Sequence, residues 1–392
     1  MKYFKCLLSL SFMVVLFCTA CSQPSSDATD ATDAPDATYT VTYVDGVDGA
    51  EIAVPSDTTR YKAGDSVTIN FTGVGSRTGY TFAGWSDGTT SYTSGSTTTF
   101  TMGNANVTLT AQWQWNNSFI GTKASTAVKE VGDIVFNDGS AMPYTTFATL
   151  DTSAKNEKKT KAIALIFYKG TGLNSDTWNN NGTWTINSSE TVRTLGVGLK
   201  HNKNELGLAW CRWTDNSDYA NAYDKNITTI QCPADGSAGA LTFTGDKNGS
   251  DNLEQIATYL TSNSSTDDTA TSTNYPAFYF AKNYSTTATN LGTNYASGWY
   301  LPSIAELFQI YKNGKGTNKA FDIDAASQAL GGDKFGDTIE DGNVWYYSSS
   351  QSSVTLVLPA CKVSCVLDFS TGGVYNTEKC NRTSICCIRA FD

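Results

Sequence analysis

The sequence predicts an α+β protein that has few helices, many short strands and long loops. Its 392 residues include 20 Tyr, 18 Phe and 9 Trp, and this aromatic-rich composition favours strands. Alternating apolar and polar residues recur from position 39 onwards between clusters of Gly, Asp and Pro, whereas stretches with helical spacing are rare. A chain of this length holds two or three domains, and the patterns divide it into a small N-terminal module and a larger C-terminal domain.

Residues 1–20 have the pattern of an export signal. A basic start is followed by an apolar run over residues 7–17 and by two small residues, and the run is too short to span a bilayer permanently. The next residue, Cys21, resembles the lipidated cysteine of a bacterial lipoprotein box. We therefore expect Cys21 to carry lipid and to anchor the protein in the bacterial cell envelope, on the outer membrane and exposed at the surface. The alternative is an ordinary signal peptide whose removal releases a soluble protein.

Residues 21–38 are predicted to form a disordered tether. After Cys21 the segment is low in complexity, contains four Asp and has no large apolar residue. Such a segment cannot bury enough surface to offset its chain entropy. The tether would hold the folded part of the protein away from the membrane, and no later segment resembles a transmembrane helix.

The charge balance excludes one class of partner. The formal net charge of the chain is −10, whereas proteins that bind a phosphate backbone cluster Lys and Arg on one surface. We therefore expect no nucleic-acid partner. Membrane contact is expected through the lipid anchor.

The cysteines predict core packing rather than a metal site. Of the ten cysteines, two leave with the signal and Cys21 takes the lipid. The seven that remain are Cys211, Cys232, Cys361, Cys365, Cys380, Cys386 and Cys387. Their number is odd, so at least one stays free or pairs between molecules. Because the sequence has no CxxC and a single histidine, His201, it predicts no metal site, and we expect no cofactor.

Residues 39–113 are predicted to form a small β-rich module. Its strand patterns are Tyr39–Tyr43, Ser66–Phe71 and Val107–Trp113. In the middle, Tyr80 and Phe82 share one strand face, and Trp85 supplies a large apolar side chain to a small core. Gly84 permits a close backbone approach beside them. The alternative role for these aromatic residues is a shelf for a ligand.

This module resembles the Listeria–Bacteroides repeat, also called the internalin B repeat. The resemblance rests on Gly-Tyr-Thr-Phe-Ala-Gly-Trp at residues 79–85 and on the closing strand at residues 107–113. It implies a β-grasp-like module of the kind that surface proteins use as a spacer or adhesive unit. We expect the module to fold by itself, followed by a linker over residues 114–126.

Residues 127–392 are predicted to form an α+β domain. Strand patterns occupy residues 131–136 and 162–167, and helical patterns occupy residues 252–261, 303–312 and 323–330. The second helix begins with a capping box, in which Ser303 and Glu306 satisfy the free backbone groups of the first turn. The third helix stops at Gly331-Gly332.

This domain resembles the Lcl C-terminal group of domains. The matching residues are Gly298–Leu307, Val344-Trp345 with Ser348–Gln351, and Cys387–Phe391. Tyr300 stands where the group usually has Arg. The resemblance implies a C-type-lectin-like fold of the formylglycine-generating-enzyme type. Within it the chain resembles the treponemal variable proteins, lipoproteins whose C-terminal lectin-like face is diversified by a retroelement.

The predicted ligand site lies in the tail, residues 352–384. A frame with family-like sequence, residues 345–351 and 385–391, brackets this tail, whose own side chains follow no settled helix or strand pattern. In residues 361–369 the odd positions are apolar and the even positions are mostly polar, which indicates one buried and one exposed face. We expect one exposed ligand-binding patch made of Ser353, Thr355, Val357, Pro359, Lys362, Ser364, Tyr375, Asn376, Asn381 and Thr383. The residues expected to be buried beneath it are Trp345, Leu367, Phe369 and Ile388.

These patterns favour a surface-displayed binding protein, an adhesin or receptor-like protein, over an enzyme. The capping box explains Glu306 without an acid catalyst, and His201 has no neighbouring triad signature. A formylglycine-generating oxidase needs a cooperating cysteine pair, whereas Cys386 and Cys387 point to opposite faces of a strand. The motifs for calcium-dependent sugar binding are missing from the sequence. The expected partner is a protein or glycan, of host or microbial origin, and the alternative is a structural envelope lipoprotein without a specific ligand.

Overall fold

The computed structural model describes residues 37–49, 51–96, 98–173, 176–178, 184–186, 192–202, 207–213, 222–223, 225–236, 240–262, 270–336, 345–353 and 362–392. The predicted export signal, Cys21 and almost all of the predicted tether lie outside these residues. Within them the protein is a mixed α+β structure with few helices and many short strands in small sheets. The predicted α+β class is therefore confirmed.

The N-terminal module is built from eight short strands. They are β1 (Thr38–Tyr39), β2 (Val41–Val44), β3 (Tyr61–Lys62), β4 (Ser66–Thr68), β5 (Tyr80–Ser86), β6 (Ser91–Tyr92), β7 (Thr99–Thr101) and β8 (Val107–Trp115). A four-stranded sheet has the order β2-β8-β5-β6, with β2 and β8 parallel. Two antiparallel pairs, β1–β3 and β4–β7, complete the module.

The module has the aromatic core that the sequence predicts. Trp85 is fully buried, and its indole nitrogen donates to the carbonyl oxygen of Asn70 at 2.9 Å. The rings of Tyr43 and Phe82 approach that of Trp85 edge-on, with centroids at 4.7 and 5.1 Å. Gly84 has φ +138°, and a Cβ there would lie 2.1 Å from the carbonyl oxygen of Tyr92. The close backbone approach expected at Gly84 is thus present.

The C-terminal domain contains six α-helices within the described residues. They are α1 (Tyr144–Ala148), α2 (Thr152–Lys159), α3 (Asn252–Ser262), α4 (Pro276–Lys282), α5 (Ile304–Gly314) and α6 (Ile323–Ala329). Short 3₁₀ turns occur at Thr228–Ile230, Gly249–Asp251, Tyr284–Thr286 and Thr293–Tyr295. The three predicted helices correspond to α3, α5 and α6, and α5 has both halves of the predicted capping box. The helices α1, α2 and α4 were not predicted from the sequence.

The strands of this domain form two main sheets and three small pairs. They are β9 (Asp133–Phe136), β10 (Ala141–Pro143), β11 (Ala162–Gly170), β12 (Asp176–Trp178), β13 (Trp184–Ile186), β14 (Arg193–Gly198), β15 (Leu208–Ala209), β16 (Ala234–Asp235), β17 (Thr242–Phe243), β18 (Trp345–Gln351), β19 (Val363–Asp368), β20 (Val374–Glu378), β21 (Arg382–Thr383) and β22 (Ile388–Ala390). One main sheet has the order β10-β9-β11-β14-β22 and the other β18-β19-β20, and both are antiparallel. The small pairs are β12–β13, β15–β21 and β16–β17.

Two hydrophobic clusters cover opposite faces of these sheets. Leu367 and Cys386 belong to the first cluster, which packs under α5, whereas Val366 and Cys387 belong to the second, which packs under α3 and α4. In each of these pairs, residues that are adjacent in sequence therefore enter different cores. This arrangement confirms that Cys386 and Cys387 point in opposite directions. It also means that Ser364 and Val366, at even positions of β19, are buried, whereas Asp368 at the end of the strand is half-buried.

The segment expected to be a linker is built into both parts of the protein. β8 continues to Trp115, and the backbone N–H groups of Thr122 and Lys123 both donate to Ala141 in β10 at 2.8 Å. Lys158 in α2 donates to the carbonyl oxygen of Ile120 at 2.7 Å. Its ammonium group lies 3.4 Å from the ring centroid of Trp115. Residues 114–126 thus pack against the C-terminal domain along much of their length.

Across the described residues, none of the helices combines the length and the apolar character that crossing a membrane requires.

Candidate functional site

The structure places the predicted site residues in three groups. Ser353, Tyr375, Asn376 and Asn381 are exposed, and Lys362 is half-buried. Ser364 and Thr383 are buried, with 0% and 5% of their surfaces accessible. Thr355, Val357 and Pro359 lie outside the described residues. The expected exposure of Ser364 and Thr383 is therefore wrong.

Each of these two residues is buried for a topological reason. Ser364 lies on β19, the central strand of its sheet, where it pairs with Thr377 on one side and Gln351 on the other. Because hydrophobic clusters cover both faces of this strand, its even positions Ser364 and Val366 are as buried as its odd ones. Thr383 lies on β21 and pairs with Leu208 of β15. That pairing joins segments far apart in sequence, so strand alternation could not reveal it.

The exposed residues do not form one patch. Tyr375 pairs with Val366, which faces the second cluster, and Asn376 pairs with Cys365, which faces the first. The side-chain oxygen of Asn376 lies 3.8 Å from the Cys365 sulfur. The side chains of Tyr375 and Asn376 consequently lie on opposite faces of the sheet. The side that carries Tyr375 also carries Trp345.

An aromatic stack on β18 and β20 is the main feature of that side. The rings of Trp345 and Tyr375 are stacked, with centroids 5.6 Å apart and planes inclined by 18°. Trp345, expected to be buried, is half-buried, and Tyr375 remains 44% exposed. Leu367, Phe369 and Ile388 are fully buried, as predicted. The stack therefore presents an exposed aromatic ring held against a second ring on a packed sheet.

A polar cluster lies at the C-terminal end of β20. The hydroxyl of Tyr223 donates to a carboxylate oxygen of Glu378 at 3.4 Å, and the Cys380 sulfur lies 3.5 Å from the same oxygen. The ammonium group of Lys362 lies 5.7 Å from the ring centroid of Tyr223. Burial raises the pKa of the Cys380 thiol, and its bond to Glu378 raises it further. The thiol therefore stays protonated at neutral pH and is a weak nucleophile.

A buried lysine fixes the tail to the frame, and sequence reasoning missed it. Lys379 is fully buried, and its ammonium group donates to the carbonyl oxygen of Ala222 at 2.7 Å and to the side-chain oxygen of Gln351 at 3.1 Å. It also lies 4.8 Å from the ring centroid of Trp210. Gln351, a frame residue, accepts a further bond from the backbone of Ile227 at 3.2 Å. A lone lysine in a polar stretch gives no sequence signal for such a role.

Glu306 is saturated with hydrogen bonds. One carboxylate oxygen accepts from the guanidinium of Arg193 at 2.8 Å and from the hydroxyl of Tyr300 at 3.0 Å. The other accepts from the backbone N–H groups of Ser303 at 2.8 Å and Gly249 at 2.9 Å. The carboxylate is fully buried, and two of its donors come from β14 and from the 3₁₀ turn before α3. Glu306 therefore holds α5 against these two elements. The structural role predicted for Glu306 is found, and Arg193 supplies the guanidinium beside Tyr300.

The described part of the chain contains no cluster of potential metal ligands. There, no three or more His, Cys, Asp or Glu side chains come together as metal ligands could. Cys365 and Cys386 carry free thiols in the apolar core. Burial raises the pKa of the Cys365 thiol to about 12 and that of Cys386 higher still.

Comparison with known proteins identifies the N-terminal module. Residues 39–117 match the family model of the divergent InlB B-repeat domain, which supports the resemblance based on residues 79–85. The match extends past Trp113 to the end of β8, in agreement with the strand that the structure shows there. Repeats of the InlB type are typical of surface proteins. No curated protein and no solved structure matches the chain.

Proposed function

We propose that the protein is a lipid-anchored surface protein whose C-terminal domain binds a protein or glycan ligand through the surface around the Trp345–Tyr375 stack. Lipid on Cys21 and the tether at residues 21–38 would display it on the outer membrane of a bacterium. The InlB-type repeat supports surface display, because such repeats are typical of surface proteins.

The observation that carries the binding role is the exposed aromatic stack. Tyr and Trp dominate the energetics of recognition surfaces, since they bury a large area at low entropic cost. Here Tyr375 is 44% exposed, and its ring rests on Trp345. The strand between them, β19, is buried on both faces. A ligand would therefore meet a surface that is already in its binding geometry, which lowers the ordering cost of association.

We further propose that the C-terminal domain has the C-type-lectin-like fold of the Lcl group and that its tail is diversified by a retroelement. The motif residues support the fold proposal. Trp299 and Leu301 lie in the second cluster, and Ser303 caps α5. The split between a buried frame, residues 346–351, and exposed tail residues such as Asn376 and Asn381 supports the second proposal. A frame of this kind tolerates changes at its exposed positions without loss of folding.

The binding role is tested with the unlipidated mature chain on arrays of purified glycans and of purified extracellular proteins. Ligands that bind the wild type should bind Tyr375→Ala at least about tenfold more weakly, as expected for the loss of a central aromatic contact. The matched control is Tyr279→Ala on α4, because Tyr279 is similarly exposed, at 40%. Equal losses in the two variants, or no loss in Tyr375→Ala, would contradict the proposed site. Absence of any bound ligand would favour the alternative of a structural envelope lipoprotein.

A catalytic role is not part of the proposal. An oxidase of the formylglycine-generating type needs two cysteines that act on one substrate. Cys386 and Cys387 enter different cores, and burial raises the pKa of both thiols. The same purified chain should therefore leave cysteine-containing peptides unmodified, and formation of an aldehyde on such a peptide would overturn this part of the proposal.

A further inference from the structure

A groove on another part of the C-terminal domain shares no lining residue with the Trp345–Tyr375 surface. Its volume is about 700 Å³, and it lies between α3, α4 and the edge strand β22. This volume is within the range of ~300–1,000 Å³ that is usual for small-molecule sites. The buried side chains of Phe278, Trp299 and Leu301 form its apolar wall. Arg389 of β22 is the half-buried charged residue that lines it.

Arg389 bonds only to neutral groups among the described residues. Its guanidinium donates to the backbone carbonyl oxygens of Ser297 and Asn294, the latter at 3.3 Å, and lies 4.9 Å from the ring centroid of Tyr295. Its Nε is buried and has no hydrogen-bond partner. Burial lowers the pKa of Arg389, and the nearby Tyr295 offsets only part of this effect. The carbonyl bonds fix the loop at residues 294–298, but they leave the positive charge uncompensated.

The other charges of the groove lie at its rim. Glu254 on α3 and Lys282 on α4 are exposed, carry opposite charges and are screened by water and salt. They therefore contribute little net potential inside the groove. The positive charge of Arg389 therefore makes the inner part of the groove favour a negatively charged ligand group. A guanidinium has five N–H donors in a planar fork, and the fork matches the two oxygens of a carboxylate.

We propose that this groove binds a small ligand that carries one carboxylate beside an apolar or aromatic group. The carboxylate contacts Arg389, and the apolar part packs against Phe278 and Trp299. A monoanion fits better than a phosphate dianion, since the inner part of the groove supplies one positive charge and the rim charges of Glu254 and Lys282 offset each other.

The test uses two acids and their neutral amides as probes, namely benzoate with benzamide and indole-3-acetate with indole-3-acetamide. Probes of this size should bind with a Kd on the order of 1 mM, and each acid should bind at least about tenfold more tightly than its amide. Binding is followed by ligand-observed NMR on the unlipidated mature chain. Equal affinity for acid and amide, or no binding of either acid, would overturn the proposal.

Two variants locate the contact. Arg389→Gln should weaken binding of the acids about tenfold and leave the amides unchanged, whereas the rim control Lys282→Gln should change neither by more than about twofold. Acid affinity that survives in a folded Arg389→Gln protein would contradict the assignment to Arg389. If Arg389→Gln does not fold, the comparison of acid with amide on the wild type still decides whether the groove selects a carboxylate.

Discussion

Arg77 of the InlB-type module and Asp151 of the C-terminal domain form a bidentate ion pair. The Nε of Arg77 lies 2.6 Å from one carboxylate oxygen of Asp151, and its Nη2 lies 2.9 Å from the other. Both side chains are more than nine-tenths buried. Asp151 also accepts a bond from the backbone of Ala154 at 2.8 Å and so caps the N-terminus of α2. Burial alone would raise the pKa of Asp151, but the bonds from Arg77 and Ala154 outweigh it and lower the pKa.

This pair predicts that the module is docked on the C-terminal domain instead of moving freely. Arg77→Met should lower the free energy of unfolding by about 3 kcal/mol, because it leaves a buried carboxylate without its partner. Urea unfolding of the mature chain measures the loss. Adding Asp151→Ser should restore most of the stability, since serine keeps the helix cap and removes the charge. A loss below about 0.5 kcal/mol in Arg77→Met would show that the interface is solvated and loose.

The interface also predicts a dependence of stability on pH. Burial lowers the pKa of Lys158 to about 8, from 10.5 for an ordinary lysine. Between these values the unfolded chain binds more protons than the folded one, so the contribution of Lys158 to stability rises with pH. The wild type should therefore gain stability relative to Lys158→Met as the pH rises from about 7.5 to 9.5. The exposed neighbour provides the control, since Lys159→Met should leave the pH dependence unchanged. Parallel curves for the wild type and Lys158→Met would contradict the prediction.

Substitutions of buried and of exposed residues in the tail should differ in their cost to stability. Phe369 is fully buried and packs against Phe335 and Tyr346, with ring centroids at 4.5 and 4.9 Å. Phe369→Ala should lower the free energy of unfolding by about 3–5 kcal/mol through the cavity it leaves. Tyr375 is 44% exposed, so Tyr375→Ala loses mainly the stack on Trp345 and should cost about 1 kcal/mol. Thermal or urea unfolding distinguishes these values, and similar losses in both variants would contradict the division of the tail into buried and exposed residues.

The lipid anchor predicts a simple change in fractionation. Cys21→Ser should move the protein from the detergent phase to the aqueous phase of a Triton X-114 partition, because one residue carries the acyl chains. Cys6→Ser provides the control, since it lies within the predicted signal and should leave the partition unchanged. A Cys21→Ser protein that stays in the detergent phase would show that the anchor lies elsewhere.

Elements whose structure depends on residues close together in the sequence were mostly predicted correctly. The capping box located α5 because Ser303 and Glu306 lie on neighbouring turns, and the Tyr-x-Phe-x-Gly-Trp sequence located the core around Trp85. The helix α2 was not predicted because it is short and strongly charged, and because its cap, Asp151, is fixed by Arg77 from the other domain. Short-range patterns therefore predicted α5 and the Trp85 core, whereas α2 depends on a residue far away in the sequence.

The candidate site could be predicted only in part. Alternation identified Leu367 and Phe369 as core, but it placed Ser364 at the surface because it cannot show that a second cluster covers the other face of the strand. The stack of Trp345 on Tyr375 joins residues on two strands that are not adjacent in the sheet. Such contacts depend on strand register, which the sequence does not specify without its partners.

The sequence of this gene in many isolates of one species tests the central claim most directly, because a diversified recognition surface leaves its pattern there. Substitutions should concentrate in residues 352–384. They should fall at the exposed and half-buried positions, Ser353, Lys362, Tyr375, Asn376 and Asn381. The buried Ser364 and Thr383 and the frame at residues 345–351 should stay constant. Substitutions spread evenly over residues 127–392 would contradict the variable-binder account and leave a structural envelope lipoprotein.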